Sequence, residues 1–243
     1  MLTRHEQLLE LLKQHQFMSV TALSKALFAS EATIRRDLNH LEKMGLLTRC
    51  HGGASFQDSG RQNPSLILAN RMDMDAKRCI ARQAAALCSD NQALFLDASS
   101  TAKQMLPFLS HRKGITLFTN GLETAASAAE LGLDTYLIGG QVNATARCCQ
   151  GPMIQRMLQN IHVDKLFFSA PALSAEGEIT HHNPGLVSFL DCVRSKAKEV
   201  YMLCVAAKFG DVCTYHVCHV SELTGLISDQ PLPQGLNQLP IKE

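Results

Sequence analysis

Several side chains between Ser30 and Lys43 carry groups that can read the sequence of DNA. Arg36, Asn39 and Lys43 are separated by three and four residues, a spacing that places them on one face of a helix. A guanidinium can donate to O6 and N7 of guanine, and a side-chain amide can pair with adenine. A helix with this exposed face is suited to the major groove.

The neighbours of these side chains extend the predicted contact to the phosphates. Hydroxyls at a helix N-terminus can hold a phosphate, and Arg49 and His51, at the tip of a following hairpin, would approach the sugar-phosphate backbone or minor groove. Arg35 and Arg36 by themselves fit a solvated helix of a small bundle equally well. The predicted DNA-binding residues are Ser30, Ala32, Thr33, Arg35, Arg36, Asn39, Lys43, Arg49 and His51.

A second group of polar residues follows apolar runs in the later part of the chain. Hydroxyls and free amides at helix starts can bind an anion, and the Asp97 carboxylate could accept hydrogen bonds from sugar hydroxyls. Any one of these clusters is more typical of turns and caps, but three of them in sequence order favour a site. The predicted effector-binding residues are Asp97, Ser99, Ser100, Thr101, Thr119, Asn120, Gly139, Gly140 and Lys208.

Three helices and a hairpin are predicted to position the DNA-binding residues. Apolar periodicity predicts helices over residues 4–15, 21–27 and 31–44, with Thr21 and Ser30 as N-caps. The third helix would bury Ile34 and Leu38, and Asp37 falls near that buried side, where it would serve an internal arginine or a backbone amide. Two strands around Gly52-Gly53 would form a wing.

The later part of the chain shows the pattern of a mostly parallel sheet. A helix around residues 71–88 precedes six apolar runs, at 93–96, 115–118, 135–138, 165–168, 200–204 and 223–227. Helical segments separate most of these runs, so the sheet would be covered on both faces. Ligands of such sheets bind beyond the carboxyl ends of the strands, where the polar clusters fall.

Composition limits the classes of function. The 243 residues carry a net charge of +1 and no apolar stretch long enough for a membrane span, and the nine cysteines form no disulfide framework. We therefore expect a cytoplasmic protein with reduced thiols and no membrane partner. The cysteines and histidines between Cys213 and His219, and the pair at 181–182, lack a recognisable metal-ligand spacing, so no metal or cofactor is predicted.

The segment from Ser30 to Leu38, followed by Leu41-Glu42, Gly45, Leu47, Arg49 and His51-Gly52-Gly53-Ala54, closely resembles the DNA-binding signature of the DeoR family of transcription regulators. Phe28 departs from it, because the family commonly has glycine there, and we expect strain or an altered turn. The remainder resembles the family's sensor domain, whose fold is similar to that of sugar-phosphate isomerases such as ribose-5-phosphate isomerase. The resemblance implies an effector that is a phosphorylated sugar or a related metabolite.

The sensor part departs from the family pattern in three places. Ser99-Ser100-Thr101 stands where relatives have a Gly-Thr-Thr type loop, and Val205-Ala206-Ala207-Lys208 replaces an Asp-Ser-Ser-Lys type segment. Leu186-Val187-Ser188-Phe189-Leu190 occupies the place of a Glu-Ala-x-x-Lys stretch. These losses argue against isomerase chemistry, and no catalytic residue is predicted.

The predicted architecture is α/β: a winged helix-turn-helix over residues 1–56, a linker over 57–65 and an effector-sensing, oligomerising domain over 66–243. The predicted function is a sequence-specific transcriptional regulator, a repressor of a carbohydrate-metabolism operon relieved by its effector. Its partners would be double-stranded operator DNA, that small molecule and further copies of itself. The alternatives are a sugar-phosphate enzyme with an accessory DNA-binding module, or a regulator without a small-molecule effector.

Overall fold

The computed structural model describes residues 4–15, 17–43, 46–50, 52–56, 73–233 and 236. The chain forms two compact units, Met1–Ser65 and Leu66–Glu243, and each is described by itself. The predicted linker, residues 57–65, lies outside the described residues, so the three-part division of the chain stays a prediction.

The N-terminal unit contains three helices and a small antiparallel sheet. Its strands follow the order β1-β3-β2, and β2 and β3 form the predicted hairpin, with Cys50 opposite Gly53. The elements are α1 (Arg4–His15), β1 (Phe17–Ser19), α2 (Val20–Ala26), α3 (Glu31–Lys43), β2 (Leu47–Cys50) and β3 (Gly53–Phe56).

The core of this unit is built from the periodic apolar residues of its helices. Leu8, Leu12, Leu23, Ile34 and Leu38 are fully buried, and burying each contributes about 1.5–3 kcal/mol. The heptad-like stripe of α3 therefore faces inward, as its spacing predicts.

The start of α2 differs from the prediction. Ser19 caps the helix, and its hydroxyl accepts from the Ala22 amide at 3.1 Å. Thr21 is already within the helix, and its hydroxyl donates instead to Glu31 at 2.7 Å. Serine and threonine are both favoured as N-caps, so the sequence did not distinguish Ser19 from Thr21, and the prediction of Thr21 is wrong.

The turn between α2 and α3 has a left-handed backbone at Phe28, which stands where the family commonly has glycine. Phe28 has a φ of +50° and its side chain is 97% exposed. The aromatic ring therefore gains nothing from packing within this unit that could offset the backbone strain.

The second unit is built on a six-stranded parallel sheet with the order β14-β12-β9-β4-β5-β6, which confirms the predicted fold class. Its strands are β4 (Ala93–Leu96), β5 (Thr116–Thr119), β6 (Asp134–Leu137), β9 (Val163–Phe168), β12 (Ala197–Cys204) and β14 (Gly225–Ser228). Its helices are α4 (Met74–Ala86), α5 (Ser100–Lys103), α6 (Leu106–Leu109), α7 (Leu122–Glu130), α8 (Pro152–Leu158) and α9 (Pro184–Arg194).

Both faces of this sheet are buried at the central strand β4, whose alternate side chains point to opposite sides, whereas the edge strand β6 is largely exposed. On β4, Leu94 and Leu96 pack into one apolar cluster and Phe95 into the other. The continuous apolar runs that predicted the sheet thus reflect two cores, one on each face.

Two smaller antiparallel assemblies were not predicted. Strands β10 (Ala172–Leu173), β11 (Glu178–His181) and β13 (Tyr215–His219) form a three-stranded sheet. Strands β7 (Gln141–Asn143) and β8 (Cys148–Gln150) form a hairpin. In the part of the chain that the structure describes, no helix is long and apolar enough to cross a membrane.

Candidate DNA-binding and effector-binding sites

The predicted reading face of α3 points to solvent. Ala32, Arg35, Arg36 and Asn39 are exposed, while Ile34, on the opposite face, is fully buried. The Lys43 side chain and the whole of His51 lie outside the described residues, so their roles in DNA binding stay predictions. Arg35, Arg36 and Asn39 give this exposed side of the helix polar groups of the kind that contact DNA in a major groove, and Ala32 lies beside them.

Hydroxyls close the N-terminal end of α3, as predicted. The Ser30 hydroxyl accepts from the Thr33 amide at 3.2 Å and lies 2.8 Å from the Thr33 hydroxyl. Arg35 donates to Glu31 at 3.0 Å, and hydrogen bonds from Thr21 and Arg35 lower the pKa of the Glu31 carboxyl. Glu31 therefore stays ionised beside Arg35 and orients its guanidinium.

Asp37 has the internal role that its position on α3 predicted. Its carboxylate is buried and accepts from Arg4 at 2.6 and 3.2 Å and contacts the His5 ring at 3.1 Å. Burial raises the pKa of Asp37, but the hydrogen bonds and charges of Arg4 and His5 outweigh burial and leave that pKa lowered. This ionic contact ties α1 to the helix that carries the reading face.

The wing strand β2 contacts α3 through Arg49. The Arg49 amide donates to Glu42 at 3.0 Å, and its guanidinium donates to Asn39. Two of the residues predicted to touch DNA are thus in contact with each other.

In the second unit, Asp97 and Lys208 meet at the end of strand β9. The Asp97 carboxylate accepts from the Ser169 amide at 3.0 Å, and the Lys208 ammonium donates to the Ser169 hydroxyl at 3.0 Å and the Ala170 carbonyl at 2.9 Å. Burial raises the pKa of Asp97 to about 6, although hydrogen bonds from Ser99 and Ser169 and the charge of Lys208 oppose the rise. Burial also lowers the pKa of Lys208.

The loop after β4 uses the Ser99 hydroxyl internally. Ser99 donates to Asp97 through both its amide and its hydroxyl, and the same hydroxyl accepts from the Ala102 amide. Ser100 and Thr101 are buried in α5, which has four residues. This loop therefore holds the Asp97 carboxylate in a fixed orientation.

Asn120 contributes an acceptor that has no partner among the described residues. Its NH2 group donates to the Cys149 carbonyl at 3.1 Å, which settles the orientation of the amide, and its buried Oδ1 atom accepts no hydrogen bond there. Thr119 accepts from the Gly121 amide at 3.0 Å. A buried acceptor without a donor costs about 1–3 kcal/mol, so Oδ1 is a natural point of contact for a ligand.

The loops after β4 and β5 lie against each other. A Cβ atom on Gly121 would stand 2.8 Å from the Ala98 Cα atom, so only glycine allows this approach. A Cβ atom on Gly140 would likewise lie too close to the Gln150 carbonyl, whereas a Cβ atom on Gly139 would face open space. The fold thus brings the Asp97 loop to the loop that carries Asn120, and Gly139 and Gly140 stay a prediction as ligand contacts.

Two titratable side chains whose pKa values respond to the charge of Lys208 were not predicted as effector contacts: Lys77 was missed, and His181 was considered only as a metal ligand. Lys77 on α4 is buried, and burial together with the charge of Lys208 lowers its pKa to about 8. His181 is also buried, and burial, His182 and Lys208 lower its pKa to about 4. Lys77 lies three residues before Ile80 on the apolar stripe of its helix, and a lysine in that position was a signal that periodicity could have revealed.

Other cysteine and histidine side chains form one contact of note. Cys213 lies 3.3 Å from the His182 ring nitrogen. Within the described residues, no group of three or more histidine, cysteine, aspartate or glutamate side chains could hold a metal ion.

A winged helix-turn-helix joined to an α/β unit with a polar cluster at its strand ends defines a DNA-binding regulator with a sensor domain. The model of the DeoR-like helix-turn-helix domain matches residues 4–60, and that of the DeoR C terminal sensor domain matches residues 72–230. The chain therefore belongs to the DeoR family of transcriptional regulators.

Relatives of similar length support this assignment. The chain is 28% identical over 226 residues to a protein named as an uncharacterized HTH-type transcriptional regulator, FruR, of Bacillus subtilis (strain 168), covering 93% of this chain and 90% of the relative. It is 29% identical to the L-fucose operon activator of Haemophilus influenzae (97% and 94% covered). It is 26% identical to the putative aga operon transcriptional repressor of Escherichia coli O157:H7 (95% and 87% covered).

One solved structure with a TM-score above 0.5, eIF2B delta of Chaetomium thermophilum, shares part of the fold. The eIF2B delta subunit of Chaetomium thermophilum is 16% identical with a TM-score of 0.52, and the match covers 68% of this chain and 60% of that one. Ribose 5-phosphate isomerase A of Methanocaldococcus jannaschii is 17% identical with a TM-score of 0.43, over 56% and 55% of the two chains.

Proposed function

We propose that this regulator represses an operon of carbohydrate metabolism and that a phosphorylated sugar relieves the repression. The proposal rests on the charge of Lys208, which acts on both Lys77 and the Asp97 carboxylate, and on Asn120 Oδ1, which has no partner among the described residues and lies in the loop against the Asp97 loop. Two ammonium groups suit an anion, and two acceptors suit hydroxyls. A phosphorylated sugar carries both kinds of group.

The names of the relatives favour the same class of target. The L-fucose operon activator is named for an operon of a sugar, and the putative aga operon repressor is named as a repressor. In the proposed mechanism, the effector shifts the population of the protein from an arrangement that matches the operator to one that does not. A homo-oligomer with paired winged modules would recognise repeated or palindromic half-sites.

Thermal unfolding of the full chain tests the effector. We expect at least one member of a panel of phosphorylated sugars to raise the Tm, and the matching unphosphorylated sugar to raise it far less. Lys77→Met and Lys208→Met should abolish the shift, whereas Lys113→Met, at an exposed lysine, should retain it. If inorganic phosphate alone gives the full shift, the site recognises an anion without the sugar.

The competing proposal of an enzyme has one observation in its favour. Asp97, with a pKa raised to about 6, could exchange a proton near neutral pH. Against it, both Asp97 and Lys208 are engaged by Ser169, and the named relatives are regulators. Turnover of any member of the sugar-phosphate panel, lost in Asp97→Asn, would favour the enzyme.

Two further parts of the proposal have separate tests. If no metabolite changes the Tm, the regulator without a small-molecule effector is favoured.

We also infer a cytoplasmic location, supported by the free cysteines among the described residues, and fractionation of cells that express the chain would test it.

A further inference from the structure

Arg49, on the first strand of the wing, makes two hydrogen bonds to the reading helix α3. The Arg49 amide donates to Glu42 Oε1 at 3.0 Å, and Arg49 Nη1 donates to Asn39 Oδ1 at 2.5 Å. Asn39 and Glu42 are three residues apart on α3, so they lie on the same side of the helix. One turn of the helix therefore holds both the backbone and the side chain of Arg49.

The contact determines the orientation of the Asn39 amide. A guanidinium has only donors, so the amide atom that faces Arg49 must be the oxygen. The NH2 group of Asn39 then occupies the other branch of the exposed amide and is available to an acceptor. The oxygen retains a second lone pair for one further donor.

The Arg49 side chain is itself held along the helix. Its Nε atom is buried without a hydrogen-bond partner among the described residues. Its Nη1 atom is occupied by Asn39. The side chain therefore packs with its Nε atom away from solvent, and its Nη1 atom is directed at the Asn39 amide.

We propose that Arg49 is a positioning residue for base recognition, which holds the Asn39 amide with its NH2 group toward the base edge. The base that fits this orientation is a purine with an N7 acceptor in the major groove. Adenine fits best, because its N6 amino group can donate to the free lone pair of Asn39 Oδ1. The inference rests on the proposal that α3 reads an operator, and it assigns to Arg49 a role in sequence preference as well as affinity.

A double-mutant cycle on the full chain tests this role. The operator is first selected from random DNA, and the base pair read by Asn39 is the one whose preference Asn39→Ala relaxes. We expect Arg49→Ala to reduce the preference at that same base pair by about fivefold or more, the discrimination that a bidentate contact supplies. The double variant should lose no more than either single one.

Two controls separate positioning from a phosphate contact. Arg49→Lys keeps the charge but not the planar fork, so we expect it to lose the base preference and to keep the salt dependence of binding. Arg35→Ala removes a guanidinium that donates to Glu31, and its effect should add to that of Asn39→Ala. Hydrogen exchange of α3 in each variant confirms that the helix is intact.

Additive effects of Arg49→Ala and Asn39→Ala would overturn the inference. The inference would also be overturned if Arg49→Ala lost affinity equally for all sequences and the slope of log affinity against log salt concentration fell in magnitude by about one. That result is the signature of a lost phosphate contact. These outcomes leave the proposed function intact, because the wild-type chain still selects an operator. A wild-type chain that selects none overturns the proposed function, and this inference with it.

Discussion

Replacing Phe28 by glycine should stabilise the N-terminal unit, although it removes a large apolar side chain. The residue has a φ of +50° and its side chain is 97% exposed. A left-handed backbone costs a residue with a Cβ about 1–2 kcal/mol, and glycine avoids this cost. Glycine also has more freedom in the unfolded chain, which offsets about 0.5–1 kcal/mol of the stabilisation. We expect a net increase of about 0.5–1 kcal/mol in the free energy of unfolding.

Hydrogen exchange of the α2 and α3 amides in the full chain measures this change. An increase of about 0.5–1 kcal/mol slows exchange by about two- to fivefold where the amides exchange through unfolding of the unit. Phe28→Ala is the matched control, because it removes the ring but keeps a Cβ in the left-handed conformation. Its exchange should remain close to that of the wild type.

The comparison of the two variants decides between backbone and side-chain effects. Equal slowing in Phe28→Ala and Phe28→Gly would show that loss of the exposed ring, and not relief of backbone strain, is responsible. Faster exchange in Phe28→Gly would refute the reasoning, since it would mean that the ring stabilises the unit more than the strain destabilises it.

Three further predictions concern the contacts of both units. Asp37→Ala should lower the free energy of unfolding at pH 7 by about 1.5–3 kcal/mol, measured by exchange in α1. The loss should shrink as pH falls through the lowered pKa of Asp37; a loss that persists in acid would contradict an ionic role. Burial raises the pKa of Asp97 to about 6, so this carboxyl disfavours folding increasingly as pH rises from about 4 to 6. The Tm of Asp97→Asn should therefore rise relative to that of the wild type as pH increases over that range, while titration of His181 affects both proteins alike. A Tm difference that does not change with pH would contradict the raised pKa of Asp97. Gly121→Ala should cost about 1–3 kcal/mol, because its Cβ would meet the Ala98 Cα at 2.8 Å, whereas Gly139→Ala faces open space. Equal Tm values for the two glycine variants would disprove the close approach.

Much of the fold was predictable, because long apolar patterns report burial directly. The spacing of Ile34 and Leu38 identified the buried side of α3, and the run Ala93–Leu96 identified a strand with a core on each face. The hairpin of β7 and β8 and the sheet of β10, β11 and β13 were missed. Strands β7, β8 and β10 have two or three residues, too few for a period to emerge, and β11 and β13 contain polar residues that interrupt an apolar run.

The candidate sites were predictable only in part, for a different reason. Asp97 and Asn120 follow strands and were found from their place in the chain. Lys77 comes from a helix that precedes the sheet, and only the folded chain brings its charge near Lys208. The contact between Arg49 and Asn39 depends on side-chain rotamers across a hairpin, which no spacing rule specifies.

Selection of binding sites from random DNA by the full chain, at a fixed salt concentration, tests the central claim most directly. We expect enrichment of a defined sequence with paired half-sites, bound about a thousandfold or more tighter than random DNA, and a relaxed base preference in Arg36→Ala. Binding that is salt-sensitive but equal for all sequences would contradict the account.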